Sequence, residues 1–113
     1  MNDLIIDQER LREWTGRLLL PIQAERQIDL LAAREVVLCA KKLARTLKGC
    51  ELIPRSILNE LHRTIRILRA EIPYLKNGVG DASQVADEIE LVFDMILRGE
   101  CFGDRVPGVP RII

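Results

Sequence analysis

Apolar residues recur along this chain at intervals of three and four, with no useful run of strict alternation, so the pattern predicts helices and no strands. The clearest stretch is Leu58, Leu61, Ile65, Leu68, Ile72, whose 3-4-3-4 spacing is the heptad pattern of close, nearly aligned helix packing. Pro54 or Arg55 opens this helix over 55–72 and Pro73 closes it. Upstream, a helix is expected over 7–20. Asp7 is its cap, Gln8 and Glu9 lie in its first turn, and Leu11, Trp14 and Leu18 share one face. Gly16 weakens this helix and Pro21 stops or kinks it.

A long helix over 22–48 follows, about 40 Å at 1.5 Å per residue. Its stripe is Ile28, Leu31, Ala32, Val36, Cys39, Leu43 and Leu47. Lys41, Lys42, Arg45 and Lys48 crowd its C-terminal end, where the helix dipole favours cations, and Gly49 can take the left-handed C′ position. A loop is expected over 74–80, through Asn77-Gly78. Asp81 then caps a helix over 82–98, with Gln84 completing a capping box. Val85, Ala86, Ile89, Val92, Phe93 and Ile96 form its inner face, while Asp87, Glu90 and Asp94 lie opposite at 100° per residue. Gly99 ends it. The tail 99–113 holds Pro107, Gly108 and Pro110 and should be irregular, closing on Ile112-Ile113, which is apolar enough to pack back. Short connections favour antiparallel neighbours. The expectation is one all-α domain over 1–113, an antiparallel three- or four-helix bundle with an irregular C-terminal tail.

Composition supports this and narrows the partners. The chain has 113 residues, 48% hydrophobic and 30% charged, within the range of ordinary globular domains. Aromatics are only 4%, so Leu, Ile, Val and Ala must fill the core. Formal net charge is zero, which disfavours a general nucleic-acid binder. The zero conceals an asymmetry. Residues 1–76 hold 14 Lys or Arg against 10 Asp or Glu, whereas residues 77–113 hold 3 against 7, a net −4. The first residues lack a basic segment followed by a long apolar run, so no secretion signal is read there. Cys39, Cys50 and Cys101 are odd in number and lack CxxC spacing, which reads as reduced thiols in a cytoplasmic protein with no membrane span.

Reactive constellations are scarce. Cys39, Cys50, His62 and Cys101 could make a zinc set by count, but no pair has ligand spacing and Cys39 already lies in a core stripe. A His62–Cys101 base and nucleophile sits in no motif, and the acids near Cys101 would raise a thiol pKa. Gly78-Val79-Gly80 precedes a helix, but Asp81 stands where a phosphate would. No catalytic residue, metal or cofactor is therefore expected, and the chain is read as a non-enzyme. Arg63, Arg66 and Arg69 on the third helix could track phosphates. The following helix, with Asp87, Glu88, Glu90 and Asp94, would be repelled by nucleic acid, and the alternative is that these arginines form ion pairs with neighbouring acidic helices.

The acidic face remains. Asp87, Glu90 and Asp94, with Glu88 alongside and Glu100 and Asp104 beyond, form a dense negative patch, either a solvated helix face or a docking surface for a basic protein. In size, helical form, lack of catalytic residues and this acidic helix with its Gly99–Asp104 continuation, the chain resembles the small all-helical immunity proteins of bacterial contact-dependent and polymorphic toxin systems. That resemblance implies a cytoplasmic protein that neutralises one cognate toxin, for example a nuclease with a basic cleft, by direct binding. On the charge argument alone, the partner-binding residues are Asp87, Glu90, Asp94, Glu100 and Asp104. Two alternatives stand beside it. One is a regulatory or adaptor protein, of phage origin for instance, that homodimerises through the heptad seam. The other is a nucleic-acid-binding regulator acting through Arg63, Arg66 and Arg69.

Overall fold

The structure is a computed structural model and describes residues 2–100, with side chains from Leu4 onward. Four helices account for most of it: α1 (Asn2–Glu25), α2 (Leu30–Thr46), α3 (Arg55–Glu71) and α4 (Val79–Leu97), with a short 3-10 turn at Ile72–Tyr74. No strand occurs among the described residues. The all-α bundle expected from the periodicity is what forms. The tail 101–113, including Cys101, Asp104 and Ile112-Ile113, lies outside the described residues.

The first boundary differs from expectation because burial overrides a proline. The helix expected over 7–20 runs from Asn2 to Glu25 and passes through Pro21. An interior proline costs on the order of 3 kcal/mol. Offsetting it, Ile22 is fully buried in line with Leu11 and Leu18, a gain of roughly 1.5–3 kcal/mol. The helix stops five residues later at Arg26, whose φ of +59° is left-handed. There the Arg26 N–H reaches the Ile22 carbonyl at 3.1 Å and the Gln27 N–H reaches the Pro21 carbonyl at 3.3 Å. Asp7 is consequently not a cap. It lies inside α1 at 3% exposure.

The second helix is correspondingly shorter than the expected 22–48 and begins at Leu30. Asp29 caps it, its carboxylate accepting the Ala32 N–H at 3.1 Å. The buried stripe is also rotated. Ala32, Ala33, Val36, Val37, Ala40, Leu43 and Ala44 face inward, while Leu31 is 59% exposed and Cys39 only half-buried. The reason is that α2 packs against two helices, α1 and α4, and four small alanines let both approach.

In α3, Leu61, Ile65 and Leu68 of the heptad seam are buried, Leu58 and Ile72 are half-buried, and Ile57 and Thr64 join the interior. The last helix opens at Val79 rather than 82. Its cap is Gly78 at φ +73°, and Asp81 sits in the first turn without capping. Gln84 bonds Glu88 at 3.3 Å instead of closing a capping box. The inner face is Ala82, Ala86, Ile89, Val92, Met95 and Ile96, with Val85 and Phe93 packed at its edges.

The helices form two antiparallel hairpins, α1–α2 and α3–α4, laid side by side. Gln8 bonds Ser56 and Thr15 bonds Glu60, so α1 lies along α3 in the same direction. The Lys76 N–H reaches the Arg26 carbonyl (3.0 Å) at one end and the Gly49 N–H reaches the Gly99 carbonyl (3.1 Å) at the other, so α2 and α4 are likewise parallel. Residues 47–54 carry the chain across the diagonal. Between α1 and α3 the contact is partly polar. Thr15 is fully buried with its hydroxyl 2.5 Å from Glu60 Oε2 and 2.9 Å from the Arg12 carbonyl, and Arg63 holds the same Glu60 oxygen at 2.9 Å.

Candidate partner-binding surface

Five acids and no base lie within α4 (Asp81, Asp87, Glu88, Glu90, Asp94). At 100° per residue they divide between two flanks. Glu90, Asp94 and Asp87 run from the α3 side to the outside, whereas Asp81 and Glu88 turn toward α2. Leu91 stands on the outer midline at 45% exposure.

The α3 flank is organised by one arginine. Arg69 projects from α3 and its Nη2 lies 3.0 Å from Asp87 Oδ1 and 2.9 Å from Glu90 Oε1. These hydrogen bonds, that to Asp87 foremost, push the guanidinium pKa further up. One positive charge thus spans two negative ones. Both carboxylates remain open to solvent, Asp87 at 71% and Glu90 at 51% side-chain exposure, so the clamp contributes at most about 1 kcal/mol and leaves a net negative site. Its geometric effect is to bring two acids one turn apart onto a common cation.

Asp94 continues this flank into a crevice of about 480 Å³ between α3 and α4. Glu90, Phe93 and Asp94 form one wall; His62, Ile65, Arg66 and Arg69 form the other. The His62 and Phe93 rings stack with centroids 6.0 Å apart and planes at 28°. Of the expected partner-binding set, the structure therefore brings together Asp87, Glu90 and Asp94. Glu100 lies beyond the helix end, 3.1 Å from Arg98 Nε, and Asp104 is outside the described residues.

No protein-family profile, curated protein or solved structure matches the chain significantly.

For Arg69 the sequence left two tasks open, phosphate tracking or pairing with a neighbouring acidic helix. Arg69 serves the acids of α4, and Arg63 serves Glu60 on its own helix. The expected pairing with a neighbouring acidic helix is thus formed by Arg69, whereas Arg63 pairs within α3. The signal was the opposite charge of two helices joined by a short loop. Elsewhere, burial raises the Cys39 thiol pKa, with Glu35 and Asp7 adding to it, so this sulfur stays protonated and weakly nucleophilic. Cys50 is exposed beyond α2. Among the described residues no group of three His, Cys, Asp or Glu is placed to hold a metal ion. Nor is any described helix long and apolar enough to cross a membrane.

Proposed function

We propose that this chain is a non-enzymatic binding protein that docks a basic protein partner on the α3 flank of α4, in the manner of an immunity protein neutralising a cognate toxin. The observation that carries the reading is the Arg69 clamp. Asp87 and Glu90 are pre-positioned by an intramolecular cation yet stay more than half exposed, so an incoming arginine or lysine meets ordered carboxylates at little entropic cost. Charge of one sign on such a face speeds encounter and discriminates among partners.

The adaptor reading through the heptad seam draws no support, because Leu61, Ile65 and Leu68 already fill this chain's own core. Binding of nucleic acid by three arginines is weakened by the engagement of Arg63 and Arg69 with acids.

The test is growth rescue. The chain is co-expressed with each toxin-like domain encoded in its native genome. Wild type should restore growth against one of them and form a complex with that domain, and Asp87→Lys/Glu90→Lys, with an unchanged helical circular dichroism spectrum, should do neither. Full rescue by the double variant would remove the acidic flank from the reading, and failure of the wild type to bind or rescue would remove the reading itself.

A further inference from the structure

The second flank of α4 points elsewhere. Large exposed apolar side chains are absent from α3; α1 carries Ile5, Ile6 and Leu20, and the neighbouring outer surfaces of α2 and α4 carry Leu30 (54%), Leu31 (59%), Leu38 (51%) and Leu91 (45%). Between α2 and α4 runs a groove of about 320 Å³ lined by Ala33, Val37 and Val85. Its two walls differ in sign. Arg34 and Lys41 line it from α2, Asp81 and Glu88 from α4. Among the described residues Arg34 and Asp81 have no ion-pair partner.

A fitting occupant must present leucines along its middle, acids opposite α2 and bases opposite α4. This face itself meets that description once it is turned over. We propose that the α2/α4 face is a two-fold dimer surface whose occupant is a second copy of this chain, with α2 of each copy lying on α4 of the other.

Charge selects the axis. A dyad running across the helices would set α2 on α2 and oppose the Arg34 and Lys41 strips, which is repulsive. A dyad running along them sets the basic strip on the acidic one twice, the self-complementary contact that a closed dimer requires. The parallel course of α2 and α4 makes this workable, because rotation about that dyad preserves height. Ile28 packs on Gly78 at one end and Gly49 bonds Gly99 at the other, so residues fifty apart in sequence lie level. Arg34 then falls within about one helical turn of both Asp81 and Glu88 of the second copy, and Leu38 lies level with its Glu88, beside Leu91. Asp87, Glu90 and Asp94 are on the other flank and stay outside, so this inference does not rest on the toxin-binding reading.

Sedimentation equilibrium of the full chain decides it. The expected mass is twice 12.9 kDa. A 12.9 kDa species persisting at high micromolar concentration would overturn the proposal, and dimerisation that appears only after removal of 101–113 would do so in favour of the tail as occupant. Leu38→Asp should give a monomer of unchanged helicity. Arg34→Glu and Glu88→Arg should each weaken dimerisation at least tenfold, whereas an equimolar mixture of the two should dimerise, since each heterodimer then holds two complementary pairs. Should the mixture stay monomeric while wild type dimerises, the two-fold arrangement is wrong.

Discussion

Asp7 is the most informative place to perturb this fold. Its carboxylate is 4% exposed at the α1–α2 contact, with Oδ1 3.2 Å from Lys42 Nζ and Oδ2 buried without a hydrogen-bond partner. Lys42→Met removes the compensating charge and keeps the aliphatic stem. Breaking a fully buried pair costs about 3–5 kcal/mol, and losing a fully exposed one about 0–1. Here only Asp7 is buried, while the Lys42 side chain is 54% exposed, so solvent already screens one end. The expected loss lies between these limits, about 2 kcal/mol, or a fall in Tm of about 8 °C for a chain of this size. Urea unfolding followed by circular dichroism measures it, with the slope unchanged if only the folded state is affected. Asp7→Leu/Lys42→Met should recover to within about 1 kcal/mol of wild type, since an apolar pair of similar volume needs no desolvation. A Lys42→Met loss below about 0.5 kcal/mol would refute the reasoning, because Asp7 would then be hydrated and independent of its partner. A double variant as unstable as the single would refute the desolvation argument specifically.

Other outcomes follow from burial and backbone geometry. Leu61→Ala, at a fully buried seam position, should cost about 2–5 kcal/mol in the same unfolding assay. Gly78→Ala should cost more than about 1 kcal/mol from its φ of +73° alone, and the new Cβ would also lie 2.6 Å from Ile28 Cγ2. Adding Ile28→Ala should then remove less of the packing than it does in a wild-type background. Cys50 should be alkylated before Cys39, as peptide mapping by mass spectrometry would show. Because folding raises the Cys39 pKa, that thiol's contribution is complete below the ordinary value of 9.0. Stability should fall as pH rises beyond it, since the unfolded thiol ionises first, and Cys39→Ala should flatten that alkaline decline.

The inner faces of α3 and α4 were legible because their apolar periodicity is strong and Pro54, Pro73 and Gly99 mark three of their ends, whereas the start of α4 at Gly78 was hidden by the more obvious capping residue Asp81. In the N-terminal half the same signals misled. Pro21 looked like a terminus, but a helix end follows the balance of local cost and tertiary burial, and the burial of Ile22 is invisible to local pattern. Leu31 and Cys39 fell in the expected stripe by spacing, yet Leu31 is exposed and Cys39 only half-buried because the alanines face inward. Which face is inner depends on how many neighbours a helix has, and periodicity does not count them. The acids of the candidate surface were readable as one face of a helix. Their link to Arg69 was only one of two readings, since a helix wheel shows direction but not what stands opposite.

The diagonal passage of residues 47–54 has a kinetic consequence. Each hairpin is a contiguous half of the described chain, and closing it spans only a short connection, whereas α1 on α3 and α2 on α4 join positions about fifty residues apart. Loop-closure entropy therefore favours hairpins first and their mutual docking second. The backbone bonds Arg26–Lys76 and Gly49–Gly99 belong to that second step. They clasp the halves at both ends without any side chain, so the register of the two halves is set by backbone alone, and surface substitutions on α2 and α4 that change binding need not change how the chain folds.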